Sequence, residues 1–295
     1  MEIRQLKTFM SIVKLGNFSQ AAHFLGYTQS TVTTHIQLLE KEFNTLLFER
    51  FGHQLMLTTD GEKLYEYAES IIRLAEDAKN ELEHFATPRG PLIIGMPESL
   101  CVYYLTDLLA EYAALYPDVE LKLKFGISSD FRNLLRKNMM DLAFILEGNS
   151  KETDLVSKIL WPEPIAMVVS PKHKLAKENM VGLKDLHDQT LLFVESGSIY
   201  RSHLEAALTK AAVHPRTILE ICHIETIKKF VRSNLGLTVL PKVAVQEELA
   251  NGTLVELQCP GITFKTNTYL VYHKDKWLSH GIQAFFKLVN ERLLK

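Results

Sequence analysis

The spacing of apolar residues changes once along this chain, at Thr87–Pro91, and that change sharply limits the available folds. Before it, apolar positions recur every three or four residues, the period of helices packed on a common core. After it come short apolar or alternating runs, LIIGM, VELKLKF, DLAFIL, IAMVVS, TLLFV, LEICHI, LTVLP and TYLVYH. Helical stretches such as Tyr103 to Tyr116 and Phe131 to Asn138 separate these runs, and a helix over Leu278 to Leu294 closes the chain. Strand alternating with helix predicts an α/β sheet. Pro88, Gly90 and Pro91 cannot continue a helix, so they mark a hinge between an all-α part and an α/β part.

The all-α part opens with a helix from Ile3 to about Lys14 that buries Leu6, Phe9, Met10 and Val13. Phe18, Ala21, Ala22 and Leu25 then fall at helical spacing, with Asn17 or Ser19 placed to cap the exposed amides. Gly26 supplies a tight turn, and Val32, Ile36, Leu39 and Phe43 form the stripe of a further helix. Gln29, Ser30, Thr31, Thr33, Thr34 and Gln37 project from its other side. A helix, a tight turn and a second helix with such a face can enter a DNA major groove, where amides and hydroxyls match base edges. Periodicity alone fits a merely solvated surface equally well.

Sequence detail separates the two readings. Phe18, Ser19, Ala21, Ala22, Leu25 and Gln29, then Leu39 and Glu40, then Leu47, Phe48, Glu49 and Arg50, then Leu57, Thr58 and Gly61 together resemble the LysR-type transcriptional regulator family. The resemblance implies a winged helix-turn-helix over residues 1–58, with a wing near Phe51 to Leu57, and a linker helix and hinge over 59–89. It also implies an effector-binding domain over 90–295 resembling periplasmic binding proteins. Lobe I of that domain is expected over about 90–161 and 268–295, and lobe II over about 162–267. Ser19, Gln29, Ser30, Thr31, Thr33, Thr34, His35, Lys41, Arg50 and His53 are the candidate DNA contacts. The chain departs from the family pattern at Ser30, where proline is common, at Thr34, where a base is frequent, and at Asn44, where glycine is usual. Phosphate contacts must then rest on Lys41, Arg50, helix amino termini and bases such as Arg4, Lys7 and Lys14, with His35 the nearest substitute for the missing base.

Leu64, Ala68, Ile71, Ala75, Ala78, Leu82 and Phe85 alternate at spacings of four and three, a heptad seam whose burial predicts a homodimer. The alternative is that this helix packs on its own chain. The resemblance favours the dimer, assembling further to a homotetramer, with double-stranded DNA, a small-molecule effector and RNA polymerase as partners.

A formal charge of −2 argues against indiscriminate nucleic-acid binding, so any DNA site is local. The amino terminus lacks a signal-peptide pattern and no run is long enough to span a membrane, which predicts a cytoplasmic protein. Three scattered cysteines suit neither a disulfide framework nor a zinc site, so no metal or other cofactor is expected.

Ligands of open α/β sheets bind beyond the carboxyl ends of strands. That rule selects Pro97, Glu98, Ser99 and Leu100, then Gly126, Ser128 and Ser129, then Glu195, Ser196, Gly197, Ser198, Tyr200 and Arg201, and finally Glu225 and Thr226. Ser196–Arg201 is the strongest stretch: small hydroxyl residues enter a helix, and Arg201 offers a fork for an anionic effector such as a carboxylate. The alternative has Ser198 capping the helix and Arg201 pairing with a surface acid. Cys101, in the first turn of a helix, and Cys222, on a strand entering the cleft, stand as redox candidates, although isolated cysteines are mostly small buried apolar residues. An enzyme using Cys101 or Ser198 as nucleophile and His223 as base has no linking motif. A plain solute-binding protein leaves residues 1–86 unexplained.

Overall fold

The computed structural model describes residues 1–52, 54–82, 87–148 and 152–294. The chain divides into two compact units, Met1–Pro88 with Arg136–Met139, and Arg89–Leu135 with Met140–Lys295.

In the first unit, α1 (Ile3–Leu15), α2 (Phe18–Leu25) and α3 (Gln29–Phe43) precede a two-stranded antiparallel hairpin, β1 (Phe48–Phe51) and β2 (Gln54–Leu57), and the long α4 (Thr59–Leu82). Each short helix has a local reason to start and stop. The Asn17 side chain accepts from the amides of Ser19 and Gln20 to open α2, and Gly26 closes it at φ +69°. The Thr28 hydroxyl accepts from the Thr31 amide to open α3, and Asn44 ends it in the left-handed region at φ +50°. Asparagine tolerates that conformation, so the turn survives without the family's glycine. Glu40 then accepts from the Leu47 amide at 2.9 Å, which ties the end of α3 to the start of the wing.

These elements share one core built from Leu6, Phe9, Ile12, Ala21, Val32, Ile36, Leu39, Leu47, Leu64 and Ala68, with Phe48 against Phe9 and Phe18 at ring distances of 5.3 and 5.6 Å. That core takes part of the proposed dimer seam. Leu64 and Ala68 are buried in it and Ile71 packs on it, so the first turns of α4 serve the chain's own head, as the self-packing alternative holds. Among the described side chains of α4, the exposed large apolar ones are Tyr67 and Leu74, seven residues apart. Phe85 and the Leu82 side chain lie outside the described residues.

In the second unit the elements are β3 (Gly90–Met96), α5 (Glu98–Leu100), α6 (Thr106–Leu115), β4 (Val119–Phe125), α7 (Ser128–Arg136), β5 (Leu142–Glu147), β6 (Leu155–Pro162) and β7 (Ile165–Val169). They continue as β8 (Thr190–Phe193), α8 (Ile199–Lys210), β9 (Thr217–Glu220), α9 (Ile224–Arg232), β10 (Thr238–Pro241), α10 (Gln246–Ala250), β11 (Val255–Glu256), β12 (Asn267–His273) and α11 (His280–Leu293). A wide helical turn over Cys101–Leu105 joins α5 to α6. One sheet runs β4-β3-β5-β12-β6, with β3 parallel to β4 and β5, and β12 antiparallel to β5 and β6. The other lobe is built on β10-β7-β11 and the parallel pair β8-β9. β6 buries Leu155 and Leu160, with a register shift against β12 between Thr268 and Tyr269, and is a strand absent from the runs read in the sequence.

The chain leaves the first sheet between Pro162 and Ile165 and returns between Glu256 and Asn267. Glu163 sits at the outgoing crossing, 1% exposed. Its amide donates to the Thr266 carbonyl of the returning strand at 2.8 Å. Its carboxylate accepts from Tyr104 at 3.2 Å, Trp161 Nε1 at 3.1 Å and Thr268 at 3.4 Å. Burial pushes this carboxyl above its ordinary range, against three donors that pull it down.

Candidate DNA-reading face and effector cleft

The outer face of α3 is built by spacing. Gln29, Ser30, Thr34, Gln37 and Lys41 are exposed and share one side, with Thr31 and Thr33 half-buried beside them. Thr33 and Thr34 bond back to the carbonyls of Gln29 and Ser30 at 2.9 and 3.0 Å. Ser19, at the start of α2, donates to Gln29 Oε1 at 2.9 Å, so the two helices meet at the residue proposed to read bases. Arg50 is exposed on β1, because the hairpin starts at Phe48 instead of Phe51.

His35 does not belong to this face. It is 9% exposed, its Nδ1 is 2.9 Å from the Thr8 hydroxyl of α1, and Tyr27 meets its ring edge-on at 5.5 Å. A histidine on the inner side of α3 cannot replace the missing base at Thr34. Arg4 and Lys7 are committed as well, to Glu2 and Glu76. His53 lies outside the described residues.

In the second unit, the loops after β3, β4 and β8 and the segment before α9 converge on a cleft open to solvent. Pro97, Glu98, Ser99, Ser128, Gly197, Ser198 and Tyr200 line it, as the strand-end rule predicts, and Ser196 lines its mouth. Gly126 and Glu195, selected by the same rule, line it too, and Ile127, Leu146, Val194, Ile199, Cys222 and Ile224 complete the wall. Most of these six are apolar strand-end or helix-start residues with no polar group to mark them. Gly197 has φ +95°, a left-handed conformation that leaves the α8 amides pointing outward. Ser198 occupies the cap position of α8 without bonding its amides, and its hydroxyl is buried with no hydrogen-bond partner among the described residues. Tyr200 is 6% exposed, and burial, followed by the nearby Glu195 charge, pushes its hydroxyl well above the ordinary range.

Several predicted residues fall elsewhere. Arg201 is buried beneath the loop, donating to Glu205 at 2.9 Å, Glu220 at 2.6 Å and the Val194 carbonyl at 2.7 Å, so its fork is spent on structure and does not line the cleft. Leu100 is fully buried in the core. Ser129 is exposed beside Asp130, and Thr226 lies one turn inside α9; neither lines the cleft. Glu225 accepts from Tyr103 at 2.8 Å and Lys228 at 2.7 Å, and Lys228 also reaches Glu248 at 2.9 Å. This cluster ties one lobe to the other through Tyr103, whose hydroxyl burial and the Glu225 bond push up to about 12.

The cysteines also differ from expectation. Burial and, secondarily, Glu98 raise the Cys101 thiol, the opposite of the thiolate favoured at a helix start. β9 ends at Glu220, so Cys222 is exposed in the loop beyond it and not on the strand.

A helix-turn-helix head followed by a two-lobed α/β unit with a cleft at its strand ends defines a DNA-binding regulator controlled by a small molecule. Residues 3–62 match the model of the bacterial regulatory helix-turn-helix protein, lysR family, and residues 86–294 match the LysR substrate binding domain. The chain belongs to the LysR family of transcriptional regulators, which are DNA-binding transcription factors and not enzymes. It is 37% identical over 296 residues to the uncharacterized HTH-type transcriptional regulator YwqM of Bacillus subtilis, covering 99% of each chain. Its fold is similar to that of full-length CbnR complexed with its target DNA, with a TM-score of 0.69 at 19% identity, covering 99% of this chain and 100% of that one. The regulatory domain of Synechocystis CcmR in complex with 2-PG aligns at 25% identity and a TM-score of 0.60, covering 69% of this chain and 98% of that domain. No helix among the described residues is long and apolar enough to cross a membrane.

Proposed function

We propose that this regulator reads DNA with Gln29, Ser30 and Thr33 of α3, that Lys41 and Arg50 hold the flanking phosphates, and that an effector with an anionic group enters the cleft between the lobes. The observation that supports this most directly is the exposed polar face of α3, with Gln29 held by Ser19 at its leading end. Amides and hydroxyls there match base edges, while Arg50 on the hairpin supplies the charge that Thr34 does not. The anionic group is received by the uncapped amides of α8 beside Ser198, and not by Arg201.

In this reading two copies pair through α4 and assemble further to a tetramer. Pairing sets two heads on an interrupted inverted repeat, in the cytoplasm and within reach of RNA polymerase. The effector acts by favouring one arrangement of the domains over another. A gel shift with the DNA upstream of the chain's own gene tests the head. Gln29→Ala with Arg50→Ala is expected to weaken binding by about 2 to 4 kcal/mol, and loss of Arg50 to lower the salt dependence by about one unit. Undiminished binding by the double variant overturns the assignment.

A further inference from the structure

The carboxylates on the cleft wall have no lysine or arginine beside them among the described lining residues: Glu98 and Glu195 line both the cleft and its mouth, and Asp130 stands at the mouth. His223 also lines the mouth, exposed, with Nδ1 3.7 Å from Glu98. An effector that is only an anion would meet these carboxylates as it entered, a repulsion the apolar walls do little to screen. Deeper in, the groups change character. Ser99 is 3% exposed and lines the cleft. The Ser198 hydroxyl, next to Tyr200 and the uncapped amides of α8, is buried with no hydrogen-bond partner within ordinary distance among the described residues. A buried hydroxyl without a partner is costly unless a ligand completes it.

We propose that the effector is a small zwitterion of the amino-acid class, its carboxylate on the α8 amides and the Ser99 and Ser198 hydroxyls and its ammonium facing Glu98 and Glu195. The proposal rests on the reading of this cleft as the effector site and adds the cationic half. Both carboxylates line the same cleft as the two serines, and its mouth. A 2-oxo acid or hydroxy acid of the same skeleton would satisfy the hydroxyls and amides and leave both carboxylates facing an uncharged group. An amine without a carboxylate would do the reverse.

The test is thermal melting and calorimetric titration of the full chain. The compounds are the common protein amino acids, together with pyruvate, glycerate, 2-oxoglutarate and ethanolamine. At least one amino acid is expected to raise the melting temperature, with its amine-free counterpart binding about tenfold more weakly or worse. Glu98→Gln with Glu195→Gln is expected to erase that preference while an amine-free acid binds as well as before or better. An amine-free acid that binds the unmodified chain as tightly as its amino acid, and is weakened by Ser99→Ala and Ser198→Ala, overturns the zwitterion and leaves the effector site standing. Binding that none of these four substitutions alters overturns both readings, and silence from every amino acid overturns the zwitterion.

Discussion

The proposed recognition helix and the proposed effector cleft both carry small polar side chains, yet they were legible to different degrees. On α3 one period decides what is exposed: Gln29, Ser30, Thr34 and Lys41 fall on the outer side because Val32, Ile36 and Leu39 must face the core. The exception, His35, sits on the inner side, and its interest as a base came from its charge type and not its position. The cleft is assembled from loops far apart in sequence, so each candidate depended on where its side chain turned. Ser198 and Tyr200 turned inward and Arg201, one residue on, turned beneath the loop to Glu205 and Glu220. Helical spacing assigns faces, whereas a strand-end rule assigns neighbourhoods.

That contrast can be broken by substitutions that ask whether each site depends on its scaffold. The largest effects are expected at glycines that permit close backbone approach. A Cβ at Gly61 would lie 2.2 Å from the Leu47 carbonyl oxygen, and one at Gly236 would lie 2.3 Å from that of Thr190. Gly61→Ala is expected to destabilise the head by about 3 kcal/mol and Gly236→Ala the effector unit by a similar amount, each read by urea denaturation. An alanine that melts like the unmodified chain at either position would show that the backbone yields there.

Arg201→Met comes next, with a loss of about 2 kcal/mol from the effector unit, since three bonds go while two of the partners keep access to water. If Arg201 instead served the effector, the substitution would abolish ligand binding and leave the melting temperature unmoved. His35→Ala poses the same question in the head: about 1 kcal/mol of stability is expected to be lost with the Thr8 bond, while the folded protein keeps its DNA affinity. Retained stability with lost affinity would return His35 to the DNA face.

Glu163→Gln is the mildest. Because burial raises the Glu163 carboxyl in the folded state, the stability it contributes is complete below its unfolded value and declines as pH rises through the raised folded value. Glutamine can keep the Trp161 and Thr268 bonds without that slope. Melting curves from mildly acidic to mildly basic pH are expected to show the variant gaining on the unmodified chain as pH rises. Parallel curves would mean that Glu163 remains ionised throughout at no cost.

Other features were legible only in part, for physical reasons. The division at Pro88–Pro91 and the strand-helix order follow from residues that break helices and from apolar period. The seam of α4 was read as a single face for pairing, but a heptad pattern does not say which partner covers it, and Leu64 and Ala68 are covered by α1 and its neighbours. Ile127, Leu146 and Val194 line the cleft with little chemistry to announce them. Charge sign was misleading in the opposite direction: Arg201 advertised an anion site, while Glu98 and Glu195, which do face the cleft, pointed the other way.

The Ser19–Gln29 bond bears on how selective the regulator is among operators. An amide free to rotate can offer its oxygen or its nitrogen to whatever base edge lies opposite, and so accepts several letters at one position. Ser19 donates to the amide oxygen, which leaves the two N–H groups of Gln29 to donate elsewhere. In the proposed reading, that orientation makes acceptor-bearing edges the preferred letter under Gln29. The regulator's tolerance for spelling variation would then be set partly by a serine on α2, off the helix proposed to do the reading.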